Sequence, residues 1–296
     1  MHVENTQRYK TRFIQIIEYI NQNLDTSMSL EHLAGIAHFS KFHFQRQFSA
    51  VMGVSAHQYI QRLRLERSAY ELAFRQDDIC NIAFRGHFQS QEAFSRAFKK
   101  YMGQTPLRFR KLTPWQAWHF KQQTQSEYNL RITSVSHSFN NQQVTIIDFP
   151  ATPIARLTHQ GQPALVMKTV SSFIQWRKAQ GNLSPKVSDT FNVLYHDPQS
   201  VPASEYRFDV ACSVFSPVAE NESGVENATL PHCRCATLRL TGSNEDMAQA
   251  ISFLYGQWLP QSGEECSEHP LFVKRLAMYP DVAMNQQIFE IYLPVR

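Results

Sequence analysis

Two nine-residue runs carry the same polar chemistry at a shift of fifty residues. Ser40-Lys41-Phe42-His43-Phe44-Gln45-Arg46-Gln47-Phe48 is echoed by Ser90-Gln91-Glu92-Ala93-Phe94-Ser95-Arg96-Ala97-Phe98, and Met52-Gly53 by Met102-Gly103. Each run opens on a Ser that can cap a helix, places Phe at i and i+4 with Arg between them, and stops at a Gly. A helix of this kind buries its aromatic side and displays Gln, Arg and Lys. Such a polar face suits the groove of DNA, and two copies on one chain suggest two adjacent grooves.

Charge supports that chemistry. The chain of 296 residues has a formal net charge of +4, but residues 1–121 hold 17 Lys and Arg against 9 Asp and Glu, and the remainder holds 12 against 16. A basic front and an acidic back point to two jobs, the first involving a polyanion. At this length two domains can each bury a core. No apolar run is long enough to span a bilayer, and the first residues lack a basic-then-apolar signal pattern, so a cytoplasmic protein is expected. The five cysteines are scattered. His232-Cys233-Arg234-Cys235 has no second Cys/His pair to complete a zinc site, so reduced structural thiols and no metal are expected.

The elements that must hold these residues are legible. Ser29 caps a segment with apolar positions 30, 33, 34 and 37, and Ser40 then restarts a helix, which makes a helix-turn-helix. A second unit runs from Ile79 through Ile82-Ala83, turns at Arg85-Gly86-His87-Phe88 and restarts at Ser90. Between them Ser55 caps a stretch from Ala56 to Leu72 without Gly or Pro. A helix of about 20 residues spans about 30 Å, close to the ~34 Å of one DNA turn. One chain could then read about two turns without dimerising.

The tandem spacing and the ending Gly103-Gln104-Thr105-Pro106-Leu107-Arg108-Phe109-Arg110 resemble the AraC/XylS family of transcriptional regulators over about residues 10–112. The first reading run is similar to the MarA/SoxS/Rob branch. That resemblance implies DNA contact by Phe42, Gln45 and Arg46, and by Gln91, Glu92 and Arg96 in the second unit. Arg46 and Arg96 suit guanine, Gln45 and Gln91 adenine, and Phe42 a thymine methyl. Lys41, Lys99, Lys100, Arg108 and Arg110 are candidates for phosphate contact, each with a solvated surface charge as the alternative. Phe44, Phe48, Phe94 and Phe98 are expected in the core. The family often has Gly in each turn, where this chain has His38 and His87, and Glu92 stands where the branch tends to have Gln.

After Thr113-Pro114-Trp115 a linker is expected over 113–141, between a DNA-binding domain at 1–112 and a second domain at 142–296. The texture there turns to β alternation. Strands are expected at Val144–Phe149, Thr152–His159, Phe191–His196 and Tyr206–Val214, with a helix at Pro163–Ala179. A second round follows: strand Cys235–Leu240, helix Glu245–Leu259, and strands Leu271–Tyr279 and Gln287–Val295. Strand-helix-strand-strand thus occurs twice, about 80 to 85 residues apart, which predicts a pseudo-twofold α+β domain with two sheets facing each other. The expected fold class is multidomain, an all-α tandem helix-turn-helix domain followed by this α+β domain.

Leu194-Tyr195-His196-Asp197-Pro198, Tyr206-Arg207-Phe208-Asp209-Val210, Trp258-Leu259-Pro260 and Phe289-Glu290-Ile291-Tyr292-Leu293-Pro294 resemble the GyrI-like effector-binding domain. The resemblance implies a cleft for a small, hydrophobic or cationic effector, with Glu290 as its carboxylate and Tyr195, Trp258 and Tyr292 as aromatic walls. Ordinary packing is the alternative for the aromatics, and a salt bridge or a solvated face for Glu290. The functional expectation is a DNA-binding regulator, an activator that engages double-stranded DNA, a small effector and RNA polymerase, with no cofactor. Two alternatives stand beside it: a GyrI-like hydrolase with Glu290 as base, although no Ser-His-Asp or Cys-His arrangement stands out, and a scaffold whose rear domain binds protein.

Overall fold

The computed structural model describes residues 2–37, 44, 48–49, 52, 54–119, 121, 139–198 and 201–296, with side chains from Arg12 onward. The chain forms two compact units, Met1–Val135 and Ser136–Arg296.

The first unit is helical. Helix α1 (His2–Gln22) precedes α2 (Leu30–Ile36), whose N-cap Ser29 accepts a hydrogen bond from the His32 amide. Helix α3 (Ala56–Phe74) opens on a full capping box between Ser55 and Gln58. Its 19 residues extend about 28 Å at the α-helical rise. It serves two cores. Its N-terminal half gives Tyr59, Ile60 and Leu63 to a cluster with Phe13, Ile16, Leu33, Phe44 and Phe48. Its C-terminal half gives Leu65, Ala69 and Leu72 to another with Ile82, Phe94, Phe98, Phe109 and Trp118. The four expected core phenylalanines are all fully buried. A chain of ion pairs crosses the same helix: Arg67 reaches Asp25 at 2.6 Å and Glu71 at 3.8 Å, and Arg85 holds Glu71 at 3.0 Å and Asp77 at 2.5 Å.

The second helix-turn-helix consists of α4 (Ile79–Arg85) and α5 (Gln91–Met102). The turn needs one left-handed residue, and His87 supplies it with φ 58, at a cost of about 1 kcal/mol relative to Gly. Helix α6 (Pro106–Lys111) follows, capped by Thr105 and with Pro at its first position. Trp115 and Trp118 pack on Tyr70, Phe74 and Phe109, so the start of the expected linker is built into this core.

The second unit is one antiparallel sheet of eight strands in the order β1-β6-β8-β7-β3-β4-β2-β5. The strands are β1 (Val144–Phe149), β2 (Thr152–Gln160), β3 (Thr190–Leu194), β4 (Arg207–Ser213), β5 (Glu226–Leu230), β6 (Cys233–Gly242), β7 (Leu271–Ala277) and β8 (Gln287–Pro294). The expectation of two facing sheets is therefore corrected. Strands β3 and β7 pair directly, Asn192 opposite Val273, and fuse the halves into one sheet. Strand β5, Glu-Asn-Ala-Thr-Leu, was not anticipated, because an edge strand with one buried residue carries little alternation.

The two longest helices of this unit lie on one sheet face. Helix α7 (Val166–Ala179) packs Phe173 and Trp176 on Phe208, Val210 and Cys212. Helix α8 (Asn244–Phe253) packs with Leu238, Val273, Phe289 and Ile291, and its end passes through a π turn at Leu254–Trp258. The face turned away from the helices is also apolar at its centre, where Phe149, Phe191, Phe272 and Tyr292 cluster.

Candidate DNA-reading helix and ligand face

Helix α5 is shaped by its start and its apolar spacing. Ser90 accepts from the Ala93 amide at 3.1 Å, and Gly103 ends the helix in the left-handed region with φ 81. Phe94 and Phe98 face inward, at 5.3 Å centroid distance from Phe88 and Phe109 respectively. Helical spacing then leaves the other side open: Gln91, Glu92, Arg96, Lys99 and Lys100 are all exposed. The side chains that chemistry assigns to base edges and phosphates stand together on one outward stripe. Of the corresponding residues in the first unit, Lys41, Phe42, Gln45 and Arg46 lie outside the described residues.

Two positions refine the stripe. Hydrogen bonds from its own amide and from the Ser90 hydroxyl, with help from Arg96 one turn on, hold the Glu92 carboxyl below the usual carboxylate range. Glu92 also stands in the first turn of α5, where a carboxylate complements the helix dipole. Arg108 is exposed, but Arg110 is half-buried and donates from its terminal nitrogen to the Asp77 carbonyl at 2.5 Å. That bond braces the loop before α4, so one Arg110 nitrogen is already committed within the domain.

In the second unit, strand alternation decides which residues share a face. On β8, Phe289 and Ile291 pack toward α8, and Glu290 and Tyr292 point away from it. Tyr292 donates to Glu290 at 2.8 Å, and Arg239, opposite on β6, sits 3.4 Å from the same carboxylate. Glu290 keeps 22% of its side chain exposed, and Arg239 keeps 65%. Lys274 faces Glu290 across β7 but pairs with Asp189 at 2.9 Å. Burial, reinforced by the Glu290 carboxylate, pushes the Tyr292 phenol up. Its ring stacks on Phe272 at 4.9 Å and 9°, with Phe149 edge-on at 5.2 Å.

Tyr195 lies on the same face, and its hydroxyl donates to Asp209 at 2.8 Å. Burial first, and then Asp209, raise the Tyr195 phenol. Asp209 was not singled out from the sequence, yet it is fully buried with Arg156 at 3.3 Å and Arg207 at 3.5 Å. The Arg207 guanidinium also lies 4.0 Å over the Tyr195 ring. The signal that could have found Asp209 is its frame, because Phe208-Asp209-Val210 matches Phe289-Glu290-Ile291. Trp258 is corrected: it packs with Phe289 and Ile291 under α8, on the opposite sheet face from Glu290, Tyr292 and Tyr195. Among the described residues no group of three His, Cys, Asp or Glu could hold a metal ion, and no helix is long and apolar enough to cross a membrane.

Comparison with known proteins gives two matches along the chain. Residues 142–296 match the GyrI-like small molecule binding domain, and residues 33–112 match a helix-turn-helix domain. The chain is 34% identical over 152 residues to the probable transcriptional regulator YgiV of Escherichia coli K12, covering 51% of this chain and 95% of that one. It is 38% identical over 103 residues to the right origin-binding protein of the same strain, covering 35% and 36% respectively. It is 32% identical over 107 residues to the HTH-type transcriptional activator AarP of Providencia stuartii, covering 36% and 79%.

Proposed function

The chain belongs to the AraC-type regulators with a helix-turn-helix DNA-binding domain and a GyrI-like small-molecule-binding domain, and on that premise we propose that it is a ligand-responsive transcriptional activator that reads DNA as a monomer. The observation that carries the reading is the outward stripe of α5: Gln91, Arg96, Lys99 and Lys100 exposed over a core of fully buried Phe94 and Phe98. In this reading Arg96 pairs with guanine, Gln91 with adenine, and Lys99, Lys100 and Arg108 meet phosphates. Phe42, Gln45, Arg46 and Lys41 do the same in the preceding major groove. Changing Arg96 to Ala should cost about 1–3 kcal/mol on a specific site and relax discrimination at one position. An Arg96→Ala protein that binds and discriminates normally would remove the second unit from the reading.

The rear domain is read as two repeats related by a twofold axis. The strand order is unchanged when β1–β4 are exchanged with β5–β8 and the order is reversed. A shift of 81 residues, as from Asp209 to Glu290, carries each register onto another. Thr158 opposite Asp209 becomes Arg239 opposite Glu290, and Phe149 opposite Cys233 becomes Leu230 opposite Thr152. Asn192 and Val273, themselves 81 apart, face each other at the centre.

The effector is then a lipophilic cation held near Glu290 and Tyr292, with Tyr195 on the same face. Glu290 is the partly open carboxylate of the pair, whereas Asp209 is closed by arginines. A fluorescent lipophilic cation titrated into the protein should bind saturably, and weaken at least tenfold with Glu290→Gln. Undiminished binding in that variant would move the ligand elsewhere. The effector acts by differential affinity for two states of the chain, and RNA polymerase is the partner an activator addresses.

A further inference from the structure

Cys233 and Cys235 stand on β6, on the face turned away from the helices, in one cluster with Phe149, Phe272 and Tyr292. Both are free and buried, Cys233 being 7% exposed, and their sulfurs lie 3.4 Å apart. The ladder holds both in place. Cys233 is opposite Phe149, and Cys235 is opposite Ile147 on one side and Pro294 on the other.

This geometry disfavours a disulfide. A disulfide needs Cβ atoms about 3.5–4.5 Å apart, whereas residues i and i+2 of a strand are about 6.6 Å apart. Closing the gap would unpleat a strand hydrogen-bonded on both sides. An atom placed between the sulfurs meets no such obstacle. A centre bonded to each thiolate at about 2.3 Å, the usual metal–thiolate length, and pyramidal, with bonds meeting at little more than a right angle, spans this gap. Tetrahedral zinc needs a wider bite and further ligands, and no group of three ligating residues is present among the described residues. Burial pushes both thiols up, which keeps them protonated and slow toward oxidants.

The geometry points to a dithiol site at Cys233 and Cys235 for trivalent aryl-metalloid ligands, organoarsenic(III) above all, with the aryl group against Phe149, Phe272 and Tyr292. The chemistry balances without an oxidant. An arsonous acid bearing two hydroxyls forms two arsenic–sulfur bonds and breaks two arsenic–oxygen bonds. Each hydroxyl leaves as water with one thiol proton, and arsenic remains trivalent. The site shares the Tyr292 ring with the position proposed for the effector, but its arsenic–sulfur chemistry does not depend on what binds near Glu290.

The test uses folded full-length protein and phenylarsine oxide, which hydrates to the arsonous acid, with intact mass as the readout. One adduct per chain is expected, reversed by 2,3-dimercaptopropanol and retained in the Cys80→Ser/Cys212→Ser/Cys266→Ser protein. It should be lost in Cys233→Ser and in Cys235→Ser, each first shown to fold by its urea midpoint. Should a serine variant fail to fold, the wild-type adduct is denatured and its unprotected cysteines are labelled with maleimide. Protection of Cys233 and Cys235 alone supports the site. No adduct, an adduct on other cysteines, or ready formation of a 233–235 disulfide by diamide in the folded chain would overturn it.

Discussion

Asp209 is paired at zero exposure: Tyr195, Arg156 and Arg207 converge on one of its oxygens. Its counterpart Glu290 has one tyrosine and one largely exposed arginine, and remains open to a ligand. The two carboxylates therefore part in role: Asp209 holds strands together, and Glu290 is the one proposed to receive a ligand's charge. Replacing Asp209 by Ala should destabilise the rear unit by about 2 kcal/mol, less than for a sealed ion pair because both arginines reach solvent. The shift in urea midpoint would measure it. Glu290→Ala should leave that midpoint within about 0.5 kcal/mol. The difference between these residues was only partly legible in sequence: Arg207 stands two positions from Asp209, but Arg156 lies 53 positions away. Glu290 was singled out by its resemblance to the GyrI-like motif, and alternation correctly put Phe289 and Ile291 on the opposite face.

His159 supplies a pH dependence at the same scale. It is buried with its ring nitrogens at 2.8 Å from the Thr169 hydroxyl and 3.1 Å from the Gln162 carbonyl. Burial lowers its pKa below 6.5, with hydrogen bonds to Gln162 and Gly161 opposing. A lowered folded-state pKa means that the unfolded chain takes the proton first. The contribution is full above pH 6.5 and is lost as pH falls from 6.5 through the folded value. The urea midpoint of the rear unit should drop between about pH 7.5 and pH 5.5, and His159→Gln should flatten that drop. An equal drop in the variant would assign it to other groups.

At the scale of elements, local chemistry was read well and long-range pairing was not. Ser29, Ser55 and Ser90 each cap the helix expected of them, and β1 spans the expected residues. Caps and alternation act within a few residues, so they show in the string. The pairing of β3 with β7, which makes one sheet of two halves, joins Asn192 to Val273, and no local pattern announces it. Trp258 misled for a related reason: its composition suits a ligand wall, but the π turn directs it into the core beneath α8. The reading helix offers an element-scale test. Gly103 ends α5 at φ 81 with open space around its Cβ position, so Gly103→Ala should cost about 1 kcal/mol through the backbone alone. Ser90→Ala should cost about 1 kcal/mol by freeing helix amides. Thermal unfolding of the DNA-binding unit would read both, and no change with Gly103→Ala would contradict the left-handed cap.

At the scale of the whole molecule, the basic front agrees with the helix-turn-helix match over residues 33–112, and the small-molecule-binding match covers residues 142–296. The front unit is built around a helix of 19 residues that serves two cores and crosses a ladder of ion pairs. In the proposed reading, a helix of that kind sets the spacing of two reading helices, which is what a monomer needs to read two grooves. Selection of binding sites from a random DNA pool by the full-length protein, at two salt concentrations, tests this most directly. The account predicts enrichment of one asymmetric site about two helical turns long, with specificity that survives the higher salt. Failure to enrich any sequence, with binding that collapses as salt rises, would show phosphate contact alone and contradict it.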